Sequence, residues 1–200
     1  MYFQTHHTHQ GRGQRAGFTL IEVLVSISII ALLSSVVMAA TNTARKNARD
    51  SKRISSIREI QTALELYFTD HQSYPDADTS ETSGLSSGTG GVWDTPQDGD
   101  FLQVLVDGKY LQGTVLDPLN ETDSQYNLRY YKFPAGALGC PENRGSFYVL
   151  GIADMETSNG RHQLSPGWSC PAKDGGELLD FGDPTAPDTG FEFVVGKYES

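Results

Sequence analysis

The sequence lacks the short motifs that commonly mark a catalytic site. It has no glycine-rich phosphate-binding loop and no HExxH pattern of zinc proteases. Serine, histidine and aspartate occur, but nothing in their spacing groups them. Of the histidines beyond residue 70, His71 lies at a predicted helix end and His162 in a stretch rich in glycine and asparagine. We therefore expect no enzymatic activity, because catalysis needs such groups to be held together.

Basic residues are scarce in the larger part of the chain. Residues 71–200 hold 7 Lys/Arg and 20 Asp/Glu, a net charge of −13, whereas residues 1–70 hold 8 and 5, a net charge of +3. The whole chain has a net charge of −10. Because binding to nucleic acid depends on clustered basic side chains, we expect no nucleic-acid partner for the acidic part.

Cysteine is scarce as well, since only Cys140 and Cys170 occur. A disulfide between them would close a loop of about 30 residues and stabilise the fold by roughly 3–4 kcal/mol in the chain-entropy model. We predict this bond, because export of this region would make an oxidising environment available. A zinc site and two free buried thiols are the alternatives, and two thiolates without nearby histidines make a poor zinc site.

Long apolar runs are absent except for one. The 23 residues from Phe18 to Ala40 contain a single charge, that of Glu22. At about 1.5 Å per residue, a helix of this length reaches roughly 35 Å, enough to span the hydrocarbon core of a bilayer. Arg12 and Arg15 precede the run. The sequence therefore predicts a membrane-spanning helix over residues 18–40.

Glu22 stands early in this run, where a charge is costly. One explanation is local, because Thr19-Leu20-Ile21-Glu22 fits a capping box in which the Glu22 side chain reaches back to the Thr19 amide. The other explanation is that Glu22 pairs with a positive charge from a second molecule. The two are compatible if Glu22 caps the helix before assembly and is paired afterwards.

Gly17, the FTLIE segment from Phe18 to Glu22 and the apolar stretch to Ala40 resemble the class III signal of type IV pilins and type II secretion pseudopilins. The resemblance implies that a membrane-bound prepilin peptidase cuts between Gly17 and Phe18 and methylates the new amine of Phe18. It also implies that Glu22 of one subunit pairs with the terminal amine of the next.

The same resemblance implies a location and a set of partners. Residues 1–17 would be a cytoplasmic leader, the helix would cross the inner membrane once, and the head would be exported. Other copies of the subunit and an inner-membrane assembly platform would be the partners, and the product would be an extracellular pilus or a periplasmic pseudopilus. The charge rule alone favours the opposite orientation, because a larger basic cluster follows the run: Arg45, Lys46, Arg49, Lys52 and Arg53.

Two other functions are compatible with parts of the sequence. In a secreted or membrane-anchored binding protein, Arg12 and Arg15 would form the basic start of a signal peptide, and Val37-Met38-Ala39 would be the cleavage site. The third possibility, an enzyme on a membrane anchor, lacks a catalytic constellation.

Apolar residues continue at helical spacing beyond the run and predict a helix that ends before Ser73-Tyr74-Pro75. The predicted buried stripe consists of Ile54, Ile57, Gln61, Leu64 and Phe68, with Ile60 and Tyr67 beside it. Polar residues are placed largely elsewhere on the helix, namely Ser51, Arg53, Arg58, Glu59 and Glu65.

Three stretches in the last third of the chain alternate as strands do: Tyr126–Phe133, Phe147–Ile152 and Phe191–Val195. Residues 101–106 predict a short helix or turn, and residues 76–100 predict a mobile surface loop. The expected fold class is α+β, with a long N-terminal helix packed on a small antiparallel sheet, as in type IV pilins. The expected segments are 1–17 (leader), 18–40 (membrane and filament core), 41–72 (amphipathic helix) and 73–200 (head).

The head has two further sequence resemblances. The first is to the head of the major pseudopilin, and it rests on Tyr110-Leu111, Asp117-Pro118 and the Tyr126/Tyr130 spacing. Asp154-Met-Glu156-Thr-Ser158-Asn159-Gly160 loosely resembles a calcium loop, although its glycine comes one place late and the bidentate glutamate is missing. We expect no cofactor, with calcium at this loop as the alternative.

Overall fold

A computed structural model describes residues 17–77, 92–96, 99–119, 127–170, 179–183 and 190–200. The chain divides into two compact units, Met1–Asn42 and Thr43–Ser200. Most of the loop predicted over residues 76–100 lies outside the described residues, as does the predicted leader up to residue 16.

One α-helix, α1, runs from Leu20 to His71 and contains no proline. It ends at the predicted place. Gln72 adopts a positive φ of 57°, and its amide donates to the Phe68 carbonyl at 2.8 Å. This closes the last turn of the helix in the manner of a left-handed C-terminal cap.

The first unit is the part of α1 whose side chains are all exposed. Every residue from Gly17 to Asn42 is exposed, and Phe18 and Leu20 retain 89% and 79% of their accessible surface. In the described part of the chain, one helix is long and apolar enough to cross a membrane, with a mean hydropathy of 2.5 over its most apolar stretch. A helix that is apolar all round needs lipid or other helices around it.

The described part of the second unit contains five strands: β1 (Leu128–Phe133), β2 (Phe147–Ile152), β3 (Ser169–Cys170), β4 (Leu179–Asp180) and β5 (Phe193–Tyr198). β1, β2 and β5 form an antiparallel sheet with β2 in the centre, and β3 pairs with β4. A short helix, α2 (Gln103–Asp107), precedes them. The predicted α+β class is confirmed. β2 has the predicted bounds, whereas the third predicted strand begins two residues later and extends to Tyr198.

The three-stranded sheet is buried on both faces. One face packs in a cluster with the second half of α1, where Ile57, Ile60 and Leu64 are fully buried. The other face packs in a second cluster that is rich in aromatic residues and that no sequence pattern predicted. Its buried members are Trp93, Phe133, Cys140, Phe147, Val149, Cys170, Phe181, Phe191, Val194 and Tyr198. Burial of both faces explains why all six residues of β2 are buried.

Two strand glycines make room for aromatic rings in the second cluster. A Cβ atom on Gly151 would lie 2.5 Å from the Phe191 ring, and one on Gly196 would lie 2.7 Å from the Trp168 ring. Such distances are too short for any side chain, so the rings can lie on the sheet only because these positions are glycine.

The disulfide lies in this second cluster. Cys140 and Cys170 are bonded, their Cα atoms are 5.3 Å apart, and both residues are fully buried. The bond joins the turn after β1 to β3. Trp168, two residues before Cys170, stacks on Phe147 with ring centroids 4.7 Å apart. The disulfide thus holds irregular chain against the face of the sheet that α1 does not cover.

Replacing Gly151 by alanine tests this packing. We expect Gly151→Ala to lower the unfolding free energy by about 1–3 kcal/mol, because Phe191 must move to admit the new methyl group. Gly113→Ala is the control, since no atom lies within 4 Å of a Cβ at that exposed position. Chemical denaturation of the full chain in detergent measures both. Equal stabilities of the two variants would show that the ring does not pack as described.

Candidate assembly segment and a buried ion-pair cluster

The predicted processing bond lies in exposed, non-helical chain. Gly17 and Phe18 are exposed and precede α1, which begins at Leu20. No atom lies within 4 Å of a Cβ built on Gly17. The Gly17–Phe18 bond is therefore exposed and free of helical structure, as a bond cut by a peptidase needs to be.

Glu22 closes the predicted capping box. The Thr19 amide and the Thr19 hydroxyl donate to Glu22 Oε2 at 2.8 and 2.7 Å, and the Glu22 amide donates to Thr19 Oγ1 at 3.3 Å. The local explanation of Glu22 is therefore confirmed. Both Thr19 donors use the same carboxylate oxygen, so capping leaves Oε1 for a second partner.

Four other hydroxyl side chains of this half of α1 form hydrogen bonds within the helix. Ser26, Ser28 and Thr41 donate to the carbonyl oxygens four residues earlier at 2.7 to 2.8 Å, and Ser35 donates to the Leu32 carbonyl at 2.7 Å. These bonds remove hydroxyl donors that would otherwise be costly in an apolar surrounding. Glu22 carries the one charge between Phe18 and Ala40, so an apolar surrounding would leave this charge in need of an outside partner.

Arg53 lies in the core of the second unit, so its predicted place on the polar side of the helix is wrong. Its side chain is 1% exposed. Nε and Nη2 donate to the two carboxylate oxygens of Asp117 at 2.7 and 2.9 Å, and Nη1 donates to Asp50 at 2.6 Å and to Glu156 at 3.2 Å. The buried guanidinium is stabilised here because each of its three nitrogen atoms donates to a carboxylate.

Two loops are held at this cluster. Asp117, just before Pro118, also accepts from the Leu119 amide at 3.0 Å. Asp50 accepts from the amides of Glu156 and Thr157 at 3.1 and 2.9 Å, and from the Thr157 hydroxyl at 2.7 Å. One turn of α1 therefore fixes two segments that lie more than 60 residues away in sequence.

The sequence did contain a signal for this cluster. Arg53 lies four residues before Ile57 and seven before Ile60, which is the spacing of the buried stripe. Asp50 lies one helical turn earlier and could pair with it. An arginine on an apolar stripe beside an aspartate indicates a buried ion pair, although the identity of Asp117 and Glu156 as partners is not readable from local spacing.

The cluster also bears on the orientation of the membrane helix. Of the five basic residues that follow the apolar run, Arg49 pairs with Glu156 at 2.5 Å and Arg53 is surrounded by three carboxylates. These two charges are neutralised within the head, so Arg45, Lys46 and Lys52 remain as exposed positive charges. With only three of these five positive charges left exposed, the positive-inside rule is a weaker argument against export of the head than the count of five basic residues implied.

The proposed calcium loop at residues 154–160 is used in a different way. Its Glu156 carboxylate pairs with arginines, and its amides point to carboxylates: that of Thr157 to Asp50, and that of Met155 to Glu192 at 2.9 Å. A calcium loop presents oxygen atoms inward, whereas this loop presents N–H groups. Across the described ranges, no three His, Cys, Asp or Glu side chains are grouped as metal ligands.

The surroundings shift the pKa values of the carboxylates. Burial raises the pKa of Asp50, but the hydrogen bonds from Thr157, the Glu156 amide and Arg53 outweigh it and place the pKa below the ordinary value. The hydrogen bond from Arg49 lowers the pKa of Glu156. Both groups are therefore more acidic in the folded chain than in the unfolded chain.

Removing the guanidinium should destabilise the head strongly. We expect Arg53→Met to lower the unfolding free energy by about 3–5 kcal/mol, because Asp50 and Asp117 are left buried without a cation. Lys52→Met is the matched control, since the neighbouring Lys52 is exposed and should change stability by no more than about 0.5 kcal/mol. Thermal or chemical unfolding in detergent measures the difference, and a small effect of Arg53→Met would contradict the structure.

The same pair of proteins gives a pH test. A carboxyl group whose folded pKa lies below its unfolded value contributes stability that is complete above the unfolded value and is lost as the pH falls through the folded one. The ordinary values for these two groups are 3.8 and 4.5. In the wild type this contribution should therefore be complete above about pH 5 and should be lost below about pH 4. In Arg53→Met the buried carboxyl groups lack the cation and should take up protons at a higher pH, so the stability difference between the two proteins should shrink as the pH falls. A difference that stays constant down to pH 3 would show that these carboxylates do not carry it.

The comparisons with known proteins agree with the sequence motif. Residues 12–38 match the family described as "Prokaryotic N-terminal methylation motif". The chain is 36% identical over 62 residues to type II secretion system core protein G of Aeromonas hydrophila, which is 31% of this chain and 43% of that protein. It is 38% identical over 71 residues to PilA4, the type IV wide pilus major component of Thermus thermophilus, which is 36% of this chain and 51% of that protein.

The matched stretch is thus about half the length of these relatives or less, and no solved structure matches the chain. The first relative is named as a core protein of a type II secretion system and the second as the major component of a type IV wide pilus, and neither name is that of an enzyme. In its N-terminal methylation motif and in the stretches matched by these relatives, the chain is similar to type IV pilins and type II secretion pseudopilins.

Proposed function

We propose that this chain is a structural subunit of a type IV pilus or a type II secretion pseudopilus. The observation that carries the proposal is the exposed first half of α1, an apolar helix that begins with a capped carboxylate and follows a prepilin motif. Before assembly the inner membrane covers this helix, with the head exported. After assembly the same helices of other copies cover it.

Processing would occur between Gly17 and Phe18. Prepilin peptidase would remove residues 1–17 and methylate the amine of Phe18, which keeps its positive charge. The exposed, non-helical backbone at this bond supports the proposal. The assembly platform in the inner membrane would then receive a subunit with a single acid and a single terminal amine at the apolar end of its helix.

Glu22 would pair with the Phe18 amine of a neighbouring subunit. At about 4 Å and an effective dielectric constant near 20, the attraction is of order 4 kcal/mol, comparable to the cost of burying an unpaired carboxylate. The pair would therefore set the axial register of neighbouring helices more than it would stabilise the fibre, as buried polar residues do in coiled coils. Capping by Thr19 would hold the carboxylate at the end of the helix until the amine arrives.

Two substitutions separate pairing from capping. Glu22→Ala removes the carboxylate, whereas Thr19→Ala removes only the capping hydroxyl. We expect Glu22→Ala to reduce the number of fibres by more than about tenfold, since a 1.4 kcal/mol loss already corresponds to tenfold, while leader removal continues. Thr19→Ala should assemble nearly as well as the wild type.

Fibre counts by electron microscopy and the processed fraction by gel shift, in a host with the assembly machinery, measure the two effects. Fibres that form normally from Glu22→Ala would contradict the pairing. Equal defects in the two variants would indicate that Glu22 acts only as a helix cap.

A further inference from the structure

The edge strand β5 leaves part of its backbone without a partner. The Glu199 amide donates to the Ser146 carbonyl, so residues 193, 195 and 197 face β2 in the antiparallel ladder. The N–H and C=O groups of Val194, Gly196 and Tyr198 then point away from the sheet. Ser165 Oγ accepts from the Val194 amide at 3.0 Å, whereas the outward groups of Gly196 and Tyr198 meet no partner within the described residues.

These two residues border a cavity of about 310 Å³. Trp168 forms one wall and Arg144 another, and Ser169, Lys197 and Ser200 complete the lining. The Arg144 guanidinium lies over the Tyr198 ring, 4.2 Å from its centroid. The cavity therefore combines an open strand edge, an indole and a guanidinium that makes no ion pair within the described chain.

The cavity differs in charge from the rest of the head. Its lining contributes two cationic side chains and no carboxylate side chain, although the chain as a whole carries a net charge of −10. Lys197 is already paired with Glu65 at 2.5 Å, so Arg144 provides the uncompensated charge. An anionic group is what this lining favours.

We propose that β5 binds an extended peptide segment of a partner protein that carries an acidic side chain. The peptide would lie beside Gly196 and Tyr198 as an additional strand, with its carboxylate near Arg144 and an apolar side chain on Trp168. A small anion accounts for less of the site, because it could accept from the outward N–H groups but could not donate to the outward carbonyl groups. This peptide site is independent of the fibre role of α1.

A second copy of β5 is a poorer occupant. Pairing two β5 edges would bring Arg144 and Lys197 of one chain towards the same residues of the other, and like charges oppose such pairing. The preferred partner is therefore a different, acidic segment.

A synthetic peptide provides the test with the full chain in detergent. The probe is a capped eight-residue peptide of alternating threonine and valine with one central glutamate. The controls are the same peptide with central glutamine, the same peptide with proline next to the glutamate, and sodium acetate. Backbone amide shifts of Gly196 and Tyr198 by NMR locate the binding, and their titration gives the affinity.

We expect the glutamate peptide to bind saturably and to shift both amide signals. The glutamine peptide should bind at least about fivefold more weakly. The proline peptide should not bind, because it lacks a main-chain N–H donor. Arg144→Gln should weaken the glutamate peptide by about fivefold, as for an ion pair of about 1 kcal/mol. Arg161→Gln, at an exposed arginine outside the cavity lining, should leave the affinity unchanged.

Three results would overturn the proposal. The first is no saturable binding of the glutamate peptide at millimolar concentration. The second is that sodium acetate alone reproduces the shifts, which would show an anion site without strand pairing. The third is that shifts appear elsewhere while Gly196 and Tyr198 stay unchanged. Normal fibres from a variant that has lost peptide binding would leave the fibre role intact.

Discussion

The exposed apolar surface of the first half of α1 is the constraint on which the rest of this molecule depends. Its side chains have no cover within the described residues, and the hydroxyl groups of Ser26 and Ser28 are already bonded within the helix. Water is an unfavourable surrounding for such a surface, so the helix must lie in lipid or among similar helices. In the proposed fibre, Glu22 would distinguish these two surroundings, because lipid tails offer no charge partner whereas a processed copy would offer an amine.

The head solves a different problem, since it must be stable whether or not the first half of α1 has a cover. A small sheet buried on both faces provides apolar contacts on two sides, and the disulfide between Cys140 and Cys170 holds the second cover in place. Arg53 adds specificity rather than apolar burial. Asp50, Asp117 and Glu156 can all bond to Arg53 only when the two loops are arranged on the helix in one way.

Local patterns in the sequence predicted α1, the capping box and β2, because these depend on residues a few positions apart. The position predicted for Arg53, away from the buried stripe, was wrong because two of its carboxylate partners lie 64 and 103 residues away, so the local sequence does not show what neutralises a buried guanidinium. The second aromatic cluster was missed for a similar reason. The segments that cover this face of the sheet are largely irregular, so they show no periodic pattern of apolar residues. Trp93 also follows a stretch of glycine and serine, which indicates a loop. The late start of β5 shows that Phe191 serves the second cluster from outside the strand, where it packs on Gly151.

The mass of the N-terminal peptide from exported, polymerised material tests the central claim most directly. The account predicts a chain that begins with N-methylated Phe18, so that one amine and one acid are available for each subunit. A chain that still carries residues 1–17, or one that begins at Ala40 after an ordinary signal-peptidase cut, would contradict it.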